Sequence, residues 1–450
     1  MTRVIIVRHG QSTYNTEKRI QGRTDASELT EKGRNDAQKV GIALSNISFN
    51  AIYNSPLKRA KHTADIIRNE LVISDRQSPV TEISDKLIEI DLPLWAEMLS
   101  TEVKEKFAED YRIWKEQPDE LRMLVNDAEG SREHFPVLAL YAQARQFWQE
   151  ILPRHQGETI LIVGHNGINR ALISTALGIP PSRYHSIQQS NCNITVLNFS
   201  GSLGQPVQLE SLNQTQHMGE SLPTLRPNHQ GVRLLLVRHG ETEWNRQTRF
   251  QGQIDVPLND NGRQQAQKAG EFLCDVAFDF AVSSSMLRPK ETAEIILGHH
   301  PSVQLELVDG LREISHGLWE GKLEPEIEQE FPGELQKWRQ VPAEVQMPEG
   351  ENLQQVWERS VTAWQSIVQA ASTNQLKIGL VVAHDATNKT LLCHILGLSP
   401  ENFWNFRQGN GAVSVIDYPF GLNGLPVLQA MNITSHLSGG VLDKTAAGAL

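Results

Sequence analysis

The sequence predicts an α/β fold written twice: two tandem three-layer αβα domains, each with a mostly parallel sheet. Three observations carry that prediction. The stretch Val4-Ile5-Ile6-Val7-Arg8-His9-Gly10 returns 230 positions later as Leu234-Leu235-Leu236-Val237-Arg238-His239-Gly240. In both copies short aliphatic runs alternate with amphipathic stretches, the pattern of buried strands joined by helical crossovers. The polar landmarks also keep their order through both halves, which shared helix propensity alone does not produce.

Each half opens on an aliphatic strand ending in Arg-His-Gly, where the glycine permits a sharp turn. Gln11-Ser12-Thr13-Tyr14-Asn15 then matches Glu241-Thr242-Glu243-Trp244-Asn245, and Gln21-Gly22 matches Gln251-Gly252. Gly33-Arg34 and Gly262-Arg263 begin amphipathic helices expected to run to about Leu44 and Leu273. Strands at 51–54 and 281–283 lead through turns into helices carrying Arg59 and Arg288, with Thr63-Ala64 matching Thr292-Ala293. Leu87-Ile88-Glu89-Ile90 aligns with Leu311-Arg312-Glu313-Ile314. Charge-rich stretches over 97–127 and 320–348 read as mobile helical segments, each followed by an apolar-patterned helix. Strands at 159–163 and 378–383 deliver His165 and His384. The repeat closes at Leu212-Asn213-Gln214-Thr215-Gln216-His217 and Met431-Asn432-Ile433-Thr434-Ser435-His436. The expected domains are 1–222 and 231–437, joined by a linker at 223–230 within a Pro-, Asn- and Gly-containing stretch of about 219–230, with a disordered tail at 438–450.

The composition is that of an ordinary globular protein: 39% of the 450 residues are hydrophobic and 21% charged. A net charge of −11 argues against a nucleic-acid surface or attraction to an anionic membrane, so an anionic ligand would need a local cluster of cations. Cys192, Cys274 and Cys393 are scattered without metal-ligand spacing and read as reduced, buried thiols of a cytoplasmic protein. The first strand begins by Arg3, where a signal peptide would lie, and no apolar run approaches the roughly 18 residues of a membrane span.

In open α/β sheets, reactive residues gather beyond the carboxyl ends of the strands. His9 and His165 each follow a strand directly, as do His239 and His384. Two arginines and two histidines at one edge suit a phosphate group, because guanidinium offers bidentate donors and permanent charge while imidazole is a nucleophile or donor near neutral pH. Asn15 and Asn245 add neutral donors. Any one Arg-His pair is ordinary surface chemistry; its repetition with Arg59/Arg288, Glu89/Glu313 and His165/His384 points to function.

These ordered motifs cover nearly all of both halves and resemble the histidine phosphatase superfamily, in its phosphoglycerate-mutase-like branch. The resemblance implies a metal-independent phosphoric monoester hydrolase that needs no cofactor. His9 and His239 would be phosphorylated during turnover. Arg8, Asn15, Arg59 and His165 would bind the phosphoryl group in the first half, and Arg238, Asn245, Arg288 and His384 in the second. Glu89 and Glu313 stand where the family keeps its proton donor. The partner implied is a small phosphorylated metabolite, with no nucleic acid and no membrane.

The halves differ around that acid. The second has Glu313-Ile-Ser-His316-Gly317-Leu-Trp319-Glu320-Gly321, close to the family pattern, and later Pro348-Glu-Gly350-Glu351. The first has Glu89-Ile-Asp91-Leu-Pro93-Leu-Trp95-Ala96-Glu97, with Ser131 matched to Glu351. Ser55-Pro-Leu-Lys-Arg59, Ile88-Glu-Ile-Asp91-Leu, Gln189-Ser-Asn191-Cys192 and Leu212-Asn-Gln214-Thr215 resemble two-module plant sugar-acid phosphatases within the family. This implies sugar phosphates or sugar-acid phosphates such as 2-carboxyarabinitol 1-phosphate as substrates. A phosphoglycerate mutase is the nearest alternative, and one half acting as a non-catalytic binding or regulatory module is another. His62, His134, His155 and His185 have no partner in the repeat and read as ordinary surface or helix-end residues. Trp95, Trp114, Trp148, Trp338, Trp357 and Trp364 read mainly as core, whereas Trp319 beside the acid loop is a candidate for sugar stacking.

Overall fold

A computed structural model describes residues 1–71, 79–127, 130–225 and 229–442 of the chain. The chain divides into two compact units, Met1–Glu220 and Ser221–Leu450. The division falls just before the expected linker. Leu222 packs on the core of the second unit, and Arg233 Nη1 donates to the Pro223 carbonyl at 2.6 Å.

The first unit runs β1 (Thr2–Arg8), α1 (Thr13–Glu17), α2 (Glu31–Leu44), β2 (Ala51–Asn54), α3 (Lys58–Glu70) and β3 (Val80–Ile83). Two short helices, α4 (Ser100–Lys106) and α5 (Ala108–Glu116), and a hairpin of β4 (Met123–Asp127) and β5 (Gly130–His134) follow. The unit closes with α6 (Pro136–Ile151), β6 (Thr159–Gly164), α7 (Asn166–Leu177), β7 (Ile194–Phe199) and β8 (Val207–Gln214). Its sheet has the order β8-β7-β1-β6-β2-β3. The four strands from β1 to β3 are parallel, while β7 runs antiparallel to β1 and β8 antiparallel to β7.

The second unit repeats this plan with β9 (Arg233–Arg238), α8 (Glu243–Arg246), α9 (Asp260–Leu273), β10 (Phe280–Ser283), α10 (Leu287–Leu297) and β11 (Leu305–Leu307). It continues through α11 (Glu324–Glu330), α12 (Glu334–Gln340), α13 (Leu353–Thr373), β12 (Ile378–Ala383), α14 (Asp385–Leu396), β13 (Val413–Asp417), β14 (Val427–Ile433) and α15 (Ser435–Ser438). Its sheet order is β11-β10-β12-β9-β13-β14, again with four parallel strands and an antiparallel pair.

The continuous aliphatic runs are explained by helices on both faces of each sheet. Leu235 and Val237 of β9 pack with Leu380 and Val382 of β12 against Ala269 and Leu273 of α9 and Ala293 and Ile296 of α10. Alternation along the strand turns Leu234 and Leu236, also fully buried, to the opposite face, where α13 and α14 pair. The middle of each central strand is therefore apolar at every position, and its polar residues fall at the two ends, Arg8 and Arg238 at the carboxyl end among them.

Several expectations are corrected. The stretch 97–127 is not helical throughout, because β4 pairs antiparallel with β5 from Met123↔His134 to Asp127↔Gly130. Ser131, matched in sequence to Glu351, is an exposed residue of that hairpin. It is His134 that meets the acid loop, its Nε2 donating to the Asp91 carbonyl at 3.1 Å. Trp319 is fully buried among Phe250, Ile327 and Trp338, which makes it core rather than a sugar platform. Cys192 and Cys393 are buried thiols, but Cys274 is exposed. At the C-terminus Ser438 ends α15 and Val441 is buried, while residues 443–450 of the expected tail and 226–228 of the expected linker lie outside the described residues. Among the described residues no helix is long and apolar enough to cross a membrane.

Candidate active sites

The first pocket starts at the carboxyl end of β1. Gly10 lets the chain leave the strand against α2: a Cβ there would lie 2.3 Å from the Gly33 carbonyl oxygen, and Gly240 is equally tight against Gly262. The repeated Gly10/Gly33 and Gly240/Gly262 pairs are thus a steric requirement for placing His9 and His239. The Gly10 amide donates to Thr63 Oγ1 at 3.0 Å, and Gly240 donates to Thr292 Oγ1 at 3.1 Å.

The two imidazoles of each pocket are brought together. His9 and His165 have ring centroids 5.1 Å apart in an edge arrangement, and His239 and His384 are 5.2 Å apart. His9 Nδ1 donates to the Gly10 carbonyl at 2.7 Å, and His239 Nδ1 does the same to Gly240. That bond fixes the tautomer and leaves Nε2 with a lone pair. In the second pocket the lone pair accepts from Arg288 Nε at 3.2 Å. Burial, then the adjoining guanidiniums, hold all four imidazoles well below the usual histidine value, so they are neutral at pH 7.

The partner histidines are locked the other way round. His165 Nε2 lies 2.8 Å from Ser55 Oγ, and that oxygen accepts the Leu57 amide at 3.4 Å. Its own proton is therefore available to Nε2, which puts a hydrogen on Nδ1. His384 repeats the arrangement with Ser284 at 2.9 Å and the Met286 amide at 3.4 Å. His165 Nδ1 and His384 Nδ1 are buried donors with no acceptor.

The guanidiniums share that state. Arg8 Nη1 donates to the Gln189 carbonyl, and Arg59 is tied through Nη1 to Thr24 O and through Nη2 to Gly22 O. Arg238 and Arg288 bond to the corresponding Gln408, Ile254 and Gly252 carbonyls. Burial pulls Arg8, Arg59 and Arg288 down to about 10, still fully charged at neutral pH. The Nε atoms of Arg8, Arg59 and Arg238 are buried without a partner. Buried polar groups are rarely left unpaired, and several orphaned donors beside one another fit an oxyanion. Asn15 and Asn245 cap α1 and α8 through Oδ1, which takes the amide and hydroxyl of Ser12 or Thr242 and so leaves Nδ2 as the remaining donor.

Both acids sit at the amino terminus of the helix that follows the second histidine. Glu89 accepts the amides of Ile90, Gly167 and Ile168 at 2.8, 3.0 and 3.1 Å. Glu313 accepts the amides of Ile314 at 3.0 Å and Ala386 at 3.2 Å. The difference is steric: a Cβ on Gly167 would lie 2.3 Å from Glu89 Oε1, and the second unit carries that Cβ as Ala386. Burial raises the Glu313 carboxyl above the usual range against the pull of Arg288.

Asn191 and Asn410 are site residues that the sequence reasoning did not single out. Asn191 Nδ2 donates to the His9 carbonyl at 2.8 Å and to Asn15 Oδ1 at 3.2 Å, and Asn410 treats His239 and Asn245 alike. Gln189-x-Asn191 and Gln408-x-Asn410 share the spacing of His165 and His384, a signal already present in the repeat. By contrast His155 is a structural residue, bonded to Tyr53 and Glu158, and His185 bonds to the Trp114 carbonyl.

Two neutral imidazoles and two buried guanidiniums at the carboxyl edge of a parallel sheet make each site suited to a phosphoryl group. Comparison with known proteins agrees. The family model of the histidine phosphatase superfamily (branch 1) matches residues 4–212 and again 234–433. The chain belongs to that superfamily and is a phosphoric monoester hydrolase of its type. Over 447 residues it is 31% identical to the 2-carboxy-D-arabinitol-1-phosphatase of Triticum aestivum, spanning 97% of this chain and 86% of that protein. It is 33% identical over 444 residues to the probable 2-carboxy-D-arabinitol-1-phosphatase of Arabidopsis thaliana, spanning 97% and 88%. Phosphoserine phosphatase 1 of Hydrogenobacter thermophilus is 31% identical over 220 residues, which covers 49% of this chain and 96% of that protein.

Proposed function

We propose that each unit is a separate catalytic domain hydrolysing small phosphomonoesters, sugar or sugar-acid phosphates, through a phosphohistidine at His9 or His239. The observation that carries this reading is the paired tautomers: Nδ1 of the first histidine is committed to a glycine carbonyl, so Nε2 keeps its lone pair, which in the second pocket receives Arg288 Nε until a phosphoryl group takes that place. In-line attack by Nε2 on phosphorus places the developing negative charge among Arg8, Arg59, Asn15 and His165 Nδ1, or Arg238, Arg288, Asn245 and His384 Nδ1. Glu89 or Glu313 protonates the departing oxygen and then takes a proton from the water that cleaves the phosphohistidine, a contribution of order 100- to 10,000-fold. The raised Glu313 carboxyl favours the protonated form this first step needs. The full-length similarity to 2-carboxy-D-arabinitol-1-phosphatases supports 2-carboxyarabinitol 1-phosphate or a related sugar-acid phosphate as substrate.

The test is phosphate release from such substrates by the full chain and by His9→Ala, His239→Ala and the double variant. Each single variant retains turnover and the double variant loses it. Hydrolysis surviving in the double variant overturns the mechanism, and isomer exchange of phosphoglycerates without free phosphate would make the protein a mutase.

A further inference from the structure

The two phosphoryl pockets are built alike but charged differently. At the first position of the helix after the second histidine, α7 has Asn166 where α14 has Asp385. One turn further on, Arg170 stands where the second unit has Lys389. Lys389 is neutralised in place, with Nζ 2.8 Å from Asp385 Oδ2 and lying over the Phe403 and Trp404 rings. Arg238 also approaches Asp385, at 3.5 Å. Arg170 is 7% exposed, yet among the described residues no carboxylate lies within ion-pair reach of it. Its contacts are with neutral groups: His185 Nδ1 at 3.3 Å, Gln188 Oε1 at 3.5 Å, and Tyr184 through both its ring face and its hydroxyl. Its Nε has no partner. A buried guanidinium with no carboxylate in contact, sharing Glu89 at longer range with Arg8 and Arg59, is costly and fits a site whose further anion arrives from outside.

The rim repeats the contrast independently. Beside Glu89 the first pocket carries Arg23, whose side chain is 46% exposed and meets Asp91 only at 3.8 Å. It also donates to the Glu89 carbonyl and to Gln143 Oε1. In the second pocket the amide and the cation have changed places. Gln253 donates to the Glu313 carbonyl from the loop, and Arg359 does so from the helix while locked to Glu351 by contacts of 2.7 and 2.8 Å. Three cations, Arg8, Arg59 and Arg170, thus stand around one carboxylate in the first pocket. Arg238, Arg288 and Lys389 stand around two in the second.

We propose that the first pocket selects phosphomonoesters bearing a second anionic group, the second pocket accepts those without one, and the Asn166/Asp385 difference together with Arg23 and Arg170 sets this division. The proposal rests on both pockets being catalytic. Adding a carboxylate near a substrate anion opposes it by Coulomb repulsion, and in a partly desolvated site one charge is worth about tenfold.

The probes are 3-phosphoglycerate and glycerol 3-phosphate, which differ by a carboxylate. Full-length His239→Ala isolates the first pocket and His9→Ala the second. The ratio of kcat/KM for the two probes is expected to favour 3-phosphoglycerate at least ~10-fold more in His239→Ala than in His9→Ala. Asn166→Asp in the His239→Ala chain lowers that ratio about tenfold. Added NaCl erodes the His239→Ala ratio without the Asn166→Asp substitution, so the answer does not depend on that variant folding. Ratios within twofold of each other, an Asn166→Asp chain with an unchanged ratio, or a ratio indifferent to salt overturns the division. So does a single-histidine variant that hydrolyses neither probe, since a silent pocket selects nothing. Turnover persisting in the double-histidine variant would instead overturn the phosphohistidine reading beneath it.

Discussion

Ser55→Ala removes one oxygen, the one that sets the tautomer of His165. Ser55 is fully buried, and its Oγ lies 2.8 Å from His165 Nε2 while receiving the Leu57 amide. Without it, nothing holds the His165 proton on Nδ1, the face directed at the phosphoryl oxygens. Complete loss of one such preorganised donor costs about 100- to 1,000-fold in kcat. Since the imidazole remains in place and still populates the productive tautomer part of the time, a loss of about tenfold is expected, equivalent to about 1.4 kcal/mol. One lost buried hydrogen bond also lowers stability by about 1 kcal/mol. The assay is release of nitrophenolate from p-nitrophenyl phosphate by full-length His239→Ala with and without Ser55→Ala, beside His165→Ala as the ceiling. KM changes little, because the guanidiniums that bind the ground state are untouched. A kcat within twofold of the parent refutes the tautomer argument.

Three further outcomes follow from the same geometry. Arg288→Lys keeps a charge but loses the Nε bond to His239 and both loop carbonyls, so kcat/KM of the His9→Ala chain falls about 100-fold in steady-state assays. Gly317→Ala places a Cβ 2.0 Å from the Pro348 carbonyl at a φ of +53°, which displaces the second acid loop; thermal unfolding shows a loss of about 2 kcal/mol, and activity of the second pocket falls while the first is unaffected. Acid destabilises the fold through buried neutral histidines: burial holds His217 and His436 at about 4 and His316 at about 3. Their values are depressed relative to the unfolded chain, so the unfolded state takes the proton first. Stability is intact above pH 6.5 and each residue drains about 2.7 kcal/mol over the next two units below it. His316→Phe abolishes its share in urea titrations at pH 7.0 and 4.5, and an unchanged pH dependence would contradict its assigned burial.

The parallel core and the pockets were legible because both are repeated and both follow local rules. A strand buried on two faces must be apolar at each position, and the residue after it must hold whatever polar chemistry the edge carries. His9, His165, Arg59 and their copies were found in that way. The antiparallel pairs β7–β8 and β13–β14 were not, since their strands mix apolar residues with buried polar ones such as Thr195, Asn198 and Gln214. Some of them serve the site: Thr195 accepts the Asn213 amide, whereas Asn198 pairs with Glu210 near the amino end of β1. Asn213 accepts the Ser190 amide and Asn432 the Gly409 amide, pinning the loops whose carbonyls receive Arg8 and Arg238. The β4–β5 hairpin was missed for a different reason: β4 offers only three apolar residues in a row, Met123 to Val125, and β5 is polar and mostly exposed, so neither strand alternates strongly enough to distinguish a hairpin from a solvated helix. Trp319 was misjudged from its place beside the acid loop, because chain proximity says nothing about which way a large ring packs. The charge difference between the pockets came only from spatial pairing, as neither Arg170 nor Asn166 belongs to a sequence motif that signals it.

The central claim is that His9 and His239 each carry the phosphoryl group during turnover. Rapid mixing of the full chain with a phosphomonoester, quenching in base and peptide mass spectrometry tests it directly. The account predicts an acid-labile phosphoryl group on the peptides containing His9 and His239, lost from the first peptide in His9→Ala and from the second in His239→Ala. Steady hydrolysis with neither peptide labelled under conditions where the intermediate accumulates, or a label on His165 or His384 instead, would contradict it.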